Sequence, residues 1–185
     1  IRAANDRVIK LLDRMELPEI YRASKGQLHT ASDGQKFTVR TDSLNANYSF
    51  KYAGKEQTAS AYTFIDERKL LWHSTAFSSA DRESHYVIDG LMYNNVVKSD
   101  IHSTDTHGYS EVIFAVTYLL GLSYAPRIKN LKKQTLYTFK DHKINAFPDW
   151  KIKPEKYINT QMIKETWDDI LRLVATIKLK ESTAS

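Results

Sequence analysis

The pattern of this chain changes once along its length, and that change limits the folds open to it. Between residues 27 and 77 short segments alternate polar with apolar, β-branched or aromatic side chains. Leu28-His29-Thr30 runs into Ala31-Ser32-Asp33, and Lys36-Phe37-Thr38-Val39-Arg40 follows. Then come Tyr48-Ser49-Phe50-Lys51-Tyr52, Ala59-Ser60-Ala61-Tyr62-Thr63-Phe64-Ile65 and Leu70-Leu71-Trp72-His73-Ser74. A period of two marks strands, and polar turns such as Ala53-Gly54-Lys55-Glu56 between them predict an antiparallel meander. From residue 79 the period becomes helical. Ser79 or Asp81 is expected to cap a helix running through Asn94, with Glu83 in its first turn and Val87, Ile88, Leu91 and Met92 on its apolar face. Residues 96–103 read as a strand. Residues 109–120 read as a helix closed by Gly121, with Val112, Ile113, Val116, Leu119 and Leu120 buried.

Helices are also expected outside this block. Residues 1–16 carry Val8, Leu11, Leu12 and Met15 at helical spacing, and Pro18 ends the run. Residues 122–150 are mixed, with a short strand or loop at 124–128, a basic run, and a strand-like 135–139. Residues 151–180 are predicted as one long helix with Pro154 in its first turn and a stripe of Ile158, Met162, Trp167, Ile170, Leu171, Val174 and Ile177. A meander, a helix, a returning strand and further helices is the order of an α+β, RNase H-like mixed sheet with extra N- and C-terminal helices. The expected division is a helical lead-in over 1–26, a partial core over 27–150, and a long C-terminal helix and tail over 151–185. In that layout the first strand is central, and the strand after the first long helix lies beside it.

Bulk properties exclude several classes. The chain has no cysteine, so neither a disulfide framework nor a thiolate metal site is available, which fits a reducing compartment. The longest apolar stretch, residues 112–125, is broken by Thr117, Tyr118, Gly121 and Ser123 and falls short of the ~20 residues of a membrane span. The net charge is +5, a weak pointer to an acidic partner such as nucleic acid. The first residue is Ile1, which suggests a processed or excised piece.

Two aspartates carry the chemical content. Asp33 and Asp105 are 72 residues apart, and each is expected where a strand ends. On neighbouring strands they could share a divalent cation. Mg²⁺ takes oxygen ligands and is commonly held by one or two carboxylates plus phosphate oxygens. Paired metals clamp the attacking and leaving oxygens of an in-line displacement, a site that normally needs a third carboxylate. The plainer alternative is a turn, for which Asp33-Gly34 is a common pair.

Three strings resemble one family. They are Ser32-Asp33-Gly34-Gln35, the run from Lys98-Ser99-Asp100-Ile101-His102-Ser103-Thr104-Asp105 through Thr106-His107-Gly108-Tyr109-Ser110-Glu111, and Ala125-Pro126-Arg127-Ile128-Lys129-Asn130-Leu131-Lys132-Lys133. Together they resemble the catalytic domain of Tn-three-type bacterial replicative transposases. The resemblance covers nearly the whole chain. It implies an RNase H-like domain with an Asp-Asp-Glu triad that nicks transposon 3′ ends and joins them to target DNA, giving a cointegrate. It further implies Mg²⁺, with Mn²⁺ as a substitute, double-stranded DNA as partner, an oligomer in the full-length protein, and a cytoplasmic, DNA-associated setting without membrane. Asp33 and Asp105 would be the first two triad members. The family's glutamate lies beyond Ser185, so the chain is expected to be a fragment with two of three metal ligands, folded but inactive alone, and with an apolar patch or sheet edge left exposed.

The remaining candidates are weighed against blander roles. Glu111 suits a helix start, and Glu155 and Glu165 suit solvated helix faces rather than a substitute third carboxylate. His102 and His107 flank Asp105 but make a poor zinc set. His29 and His107 are candidates to sit around a metal rather than on it, against packing for His29 and a turn hydrogen bond for His107. Arg127, Lys129, Lys132 and Lys133 are candidate DNA phosphate contacts, against an ordinary solvated face. Two further functions stay open: a non-catalytic nucleic-acid-binding domain with a degenerate RNase H-like fold, and an interaction domain that binds no nucleic acid.

Overall fold

The computed structural model describes residues 2–15, 27–48, 54, 56–141, 149, 151 and 153–185. Helix α1 (Arg2–Asp13) precedes strands β1 (His29–Thr38), β2 (Asn47–Tyr48), β3 (Gln57–Asp66) and β4 (Leu71–Ser78). Helix α2 (Glu83–Met92), β5 (Ile101–Thr104), α3 (Glu111–Leu119) and β6 (Ser123–Tyr124) follow. The chain continues through a 3₁₀ turn at Leu131–Lys133, β7 (Leu136–Thr138), β8 (Pro154–Tyr157), α4 (Thr160–Glu165) and α5 (Trp167–Lys178). Among the described residues, no helix is long and apolar enough to cross a membrane.

The main sheet is mixed. β1 pairs antiparallel with β3, and the other side of β3 carries β4 and the short β2. On its second side β1 pairs in parallel with β5, which pairs in parallel with β6. β1 is therefore central and β5 is its neighbour. In β3 the alternation is strict, with Thr58, Ser60, Tyr62, Phe64 and Asp66 turned to one buried face. Phe64, Tyr62, Trp72 and Phe77 meet Val87 and Leu91 of α2 there, together with Ile9 of α1 and Val97. A second cluster joins Ile88 of α2, Ile113 and Val116 of α3, and Ile177 of α5. The C-terminal tail is held by Asp89, whose carboxylate accepts from the backbone N–H groups of Ala184 and Ser185 at 2.7 and 3.1 Å. The buried Arg68 guanidinium pairs with Asp66 at 2.6 Å and with Asp13, which ties α1 to the β3–β4 turn.

Several expectations need correction. Asp33-Gly34 is not a turn: β1 runs unbroken through it, with Asp33 opposite Thr63 and Gly34 opposite Tyr62. The strand after α2 begins at Ile101 rather than 96, because the Asn94 side chain accepts from the N–H groups of Val96 and Val97 and folds that stretch into a turn. Neither Ser79 nor Asp81 caps α2. Ser79 is buried on the Ser60 hydroxyl, Asp81 accepts from Tyr86, and Arg82 holds the cap position. Val112 is exposed, since α3 turns Ile113, Val116 and Thr117 inward. The long helix expected over 151–180 is a strand and two helices. Pro154, lacking an N–H, opens β8 beside β7; Asn159 then caps α4 by accepting from the Met162 N–H, and Thr166 separates α4 from α5. The strand expected at 48–52 and the turn at 53–56 fall largely outside the described residues.

A polar chain inside the core ties β1 to β5. His102 is 1% exposed and sits opposite Thr30. Its Nδ1 lies 2.7 Å from the Thr30 hydroxyl and its Nε2 2.8 Å from the Ser32 hydroxyl. Thr30 continues to Ser99 at 2.6 Å, and Ser32 donates to the Tyr62 hydroxyl at 3.1 Å. The imidazole stacks between Phe64 and Tyr124 at centroid distances of 5.6 and 6.3 Å. Both ring nitrogens are satisfied by hydroxyls that can donate or accept, so the neutral ring is fully bonded without a counter-charge. Burial, with a smaller contribution from the charge of His29, pushes the His102 pKa down to about 3.

Two outcomes follow for stability. A Cβ on Gly90 would lie 2.0 Å from Phe64 Cζ in a ring that is 0% exposed, so Gly90→Ala should destabilise by about 2–3 kcal/mol in urea unfolding. His102 has a folded-state pKa below its unfolded value of 6.5, so its contribution is complete above that pH and is lost as pH falls toward 3. Between pH 7 and pH 5 the loss should be about 2 kcal/mol. His102→Gln should remove that part of the slope, and an unchanged slope would show that His102 titrates normally.

Candidate metal centre

The register of β1 on β5 decides where the two aspartates fall. His29 faces Ile101 and Ser32 faces Thr104, a constant offset of 72 residues. The pairing ends there, and Asp33 is the next residue of β1 while Asp105 is the first residue after β5. Neighbouring strands lie roughly 4.8 Å apart, so the two Cα positions share one end of the pair. Alternation sets the face. Thr30, Ser32, His102 and Thr104 are buried, so Asp33 belongs to the opposite face of the sheet with His29 and Ser103, and Asp105 lies in the turn that follows β5. The hydrogen bond between His29 Nε2 and Ser103 Oγ, 2.8 Å, confirms that this face is shared across the strands. Asp33 lies midway along its strand, not at the end. What ends there is its pairing with β5.

The Asp105 carboxylate is oriented by its own turn. Oδ1 accepts from the backbone N–H groups of His107 and Gly108 at 2.9 and 3.3 Å, and Oδ2 lies 2.7 Å from His107 Nδ1. Partial burial works to raise its pKa, but the His107 imidazole and the two N–H groups outweigh this and hold it below the usual carboxylate range. Asp105 is thus ionised at neutral pH. The turn is anchored from below, because the Tyr124 hydroxyl donates to the Gly108 carbonyl at 2.7 Å and meets the Thr104 hydroxyl at 2.8 Å. A Cβ on Gly108 would lie 2.4 Å from Thr104 Oγ1, so only glycine permits this approach. Buried against these partners, Tyr124 has its pKa pushed up to about 12. Asp33 is exposed; its Oδ1 accepts from the Gly34 N–H at 2.8 Å.

Other sequence candidates separate. His107 stays beside Asp105, while His29 is four residues from Asp33, roughly 13 Å along the strand. Glu111 is exposed in the first turn of α3, Glu155 is exposed on β8, and Glu165 accepts from Gln161 at 2.8 Å. Among the described residues no group of three or more His, Asp or Glu side chains could hold a metal. The basic run is close in topology: the Arg127 N–H donates to the Thr104 carbonyl at 2.9 Å, immediately before Asp105. Gln134 holds the rest of the loop by donating to the Lys129 carbonyl at 2.9 Å and accepting from the Tyr109 hydroxyl at 3.2 Å. Arg127, Lys129, Lys132 and Lys133 are all exposed.

The His102 chain and the Tyr124–Gly108 anchor were not read from the sequence. A signal did exist. Thr30, Ser32, His102 and Thr104 are polar residues at alternate, inward-facing positions of two adjacent strands.

A family model of the Tn3 transposase DDE domain matches residues 1–185. The transposase for transposon Tn2501 of Escherichia coli is 36% identical over 162 residues, which cover 84% of this chain and 16% of that protein. The transposase for transposon Tn1546 of Enterococcus faecium is 32% identical over 157 residues, covering 84% and 15%. That for transposon gamma-delta of Escherichia coli K12 is 24% identical over 187 residues, covering 99% and 18%. The chain thus spans less than a fifth of the length of these relatives. With the family model matched from end to end, the chain belongs to the Tn3 transposase DDE domain family.

Proposed function

We propose that Asp33 and Asp105 are two ligands of a divalent-metal site for phosphoryl transfer on DNA, in the RNase H-like core of a DDE transposase. The observation that carries this reading is their place in the sheet: the parallel pairing of β1 with β5 ends at Ser32 and Thr104, and Asp33 and Asp105 are the next residue on each side. The central β1, the antiparallel β3 and β4, and the parallel β5 after α2 support the RNase H-like assignment. The donor set fits a hard cation, since both groups offer carboxylate oxygen. When bound, Mg²⁺, or Mn²⁺ in its place, would supply Lewis acidity to the scissile phosphate and acidify an attacking water or 3′-hydroxyl.

The chain's own residues prepare this site. The turn N–H groups of His107 and Gly108 aim the Asp105 carboxylate and keep it ionised. The exposed His107 imidazole lies against Oδ2 and helps to hold the carboxylate in place. The buried His102 chain fixes β1 against β5 and so fixes the spacing of the two carboxylates. The basic loop beginning at Arg127 offers cations for DNA phosphates beside Asp105. Cleavage of transposon 3′ ends and joining to target DNA, on double-stranded DNA and in an oligomer of the full protein, is the function this reading assigns to the parent. The setting is cytoplasmic and DNA-associated. This chain alone, with two carboxylates at the site, is expected to hold a cation weakly and not to cleave. The competing reading is a nucleic-acid-binding domain without catalysis, favoured by the lack of a third acid among the described residues.

In the full-length protein, Asp33→Asn and Asp105→Asn should each lower transposon-end cleavage by at least about a hundredfold, while DNA binding and the melting temperature are retained. Wild-type cleavage by either variant would remove the metal reading and leave the binding domain.

A further inference from the structure

The positive charge of the chain is concentrated in one segment. Residues 127–157 hold nine Lys/Arg and three Asp/Glu, a net of +6, against +5 for the whole chain, so the remainder sums to −1. Within that segment β7 and β8 form a two-stranded parallel ribbon apart from the main sheet. Thr138 and Pro154 are its buried positions. Tyr137 on β7 and Phe139, the residue that follows its last, flank the buried Thr138 and are 52% and 50% exposed. Lys156 is the register partner of Tyr137, and Tyr157 beside it is 44% exposed. None of the ion pairs among the described residues involves Lys132, Lys133, Lys140, Lys153 or Lys156.

Rings and unpaired cations side by side fit one occupant. Large aromatic faces left open next to charge complement a ligand that is both flat and anionic. Side chains two apart on a strand are separated by roughly 6.8 Å, twice the ~3.4 Å step between stacked nucleotides. Such rings suit bases that have parted from one another. A closed duplex hides its base faces and would meet only the lysines.

We propose that the β7–β8 ribbon binds a single strand of DNA, with Tyr137 and Phe139 stacking on bases and Lys156, Lys132 and Lys133 holding phosphates. The site extends the DNA reading from duplex to unpaired strand. It does not depend on Asp33 or Asp105, because stacking and phosphate contact need no metal.

The test is fluorescence anisotropy in EDTA with the 185-residue chain, using a labelled oligothymidylate and a duplex of equal length. EDTA keeps the result separate from the fate of the metal site. The single strand should bind more tightly than the duplex, with an affinity that falls steeply with salt. Tyr137→Ala with Phe139→Ala should weaken single-strand binding on the order of tenfold or more and change duplex binding by less than about twofold. Tyr137→Trp, which keeps a ring, should retain binding, and Lys156→Ala should reduce the salt dependence. Equal losses on both probes, an unaffected single strand in the double variant, or no single-strand preference would each overturn the proposal.

Discussion

The arrangement of this domain depends on one buried imidazole. His102 bridges two hydroxyls of β1 from its place on β5, and that contact holds a parallel strand pair in register beside an aromatic and aliphatic cluster. Burying a polar ring is costly unless both nitrogens are bonded, and Thr30 and Ser32 bond both. A slip of one residue would leave the ring unsatisfied and turn Asp33 or Asp105 into the core. The same register sets where Asp33 and Asp105 fall, each one residue past the last pair of the two strands. The same ring stacks on Phe64 and Tyr124, so β3 and β6 are drawn into alignment with it.

On the outer face the design is local. Asp105 takes its orientation from the N–H groups of its own turn, and that turn rests on Tyr124 through the Gly108 carbonyl. The result is an ionised carboxylate held in one orientation at the end of the strand pair. The basic loop leaves the same end of the sheet, since Arg127 continues the ladder from Thr104. Asp105 and the start of the basic loop thus leave from the same end of the β1–β5 pair, with their side chains open to solvent.

Much of the element order was legible, because strands and helices impose different periods. The clean alternation of 57–66 and the apolar face of Val87, Ile88 and Leu91 both appear as expected. Boundaries set by side-chain hydrogen bonds were not legible. Asn94 delays β5, and Asn159 delays the C-terminal helices until after an unforeseen strand at Pro154. Asp-Gly at 33–34 has the composition of a turn, yet pairing with β3 on one side and the parallel β5 on the other holds it extended.

The sequence by itself determined most of the element order up to residue 120, the position of the two aspartates and the family to which their flanking strings belong. These follow from periodicity and local motif, which need no long-range contact. Only the tertiary structure decided that Asp33 and Asp105 follow the last pair of β1 with β5, that His102 is a neutral strut, and that Lys156 pairs across from the open ring of Tyr137. The reason is physical: pairing register and burial are properties of strands that meet across 72 residues, and the energy that fixes them comes from hydrogen bonds and packing absent until the chain has closed.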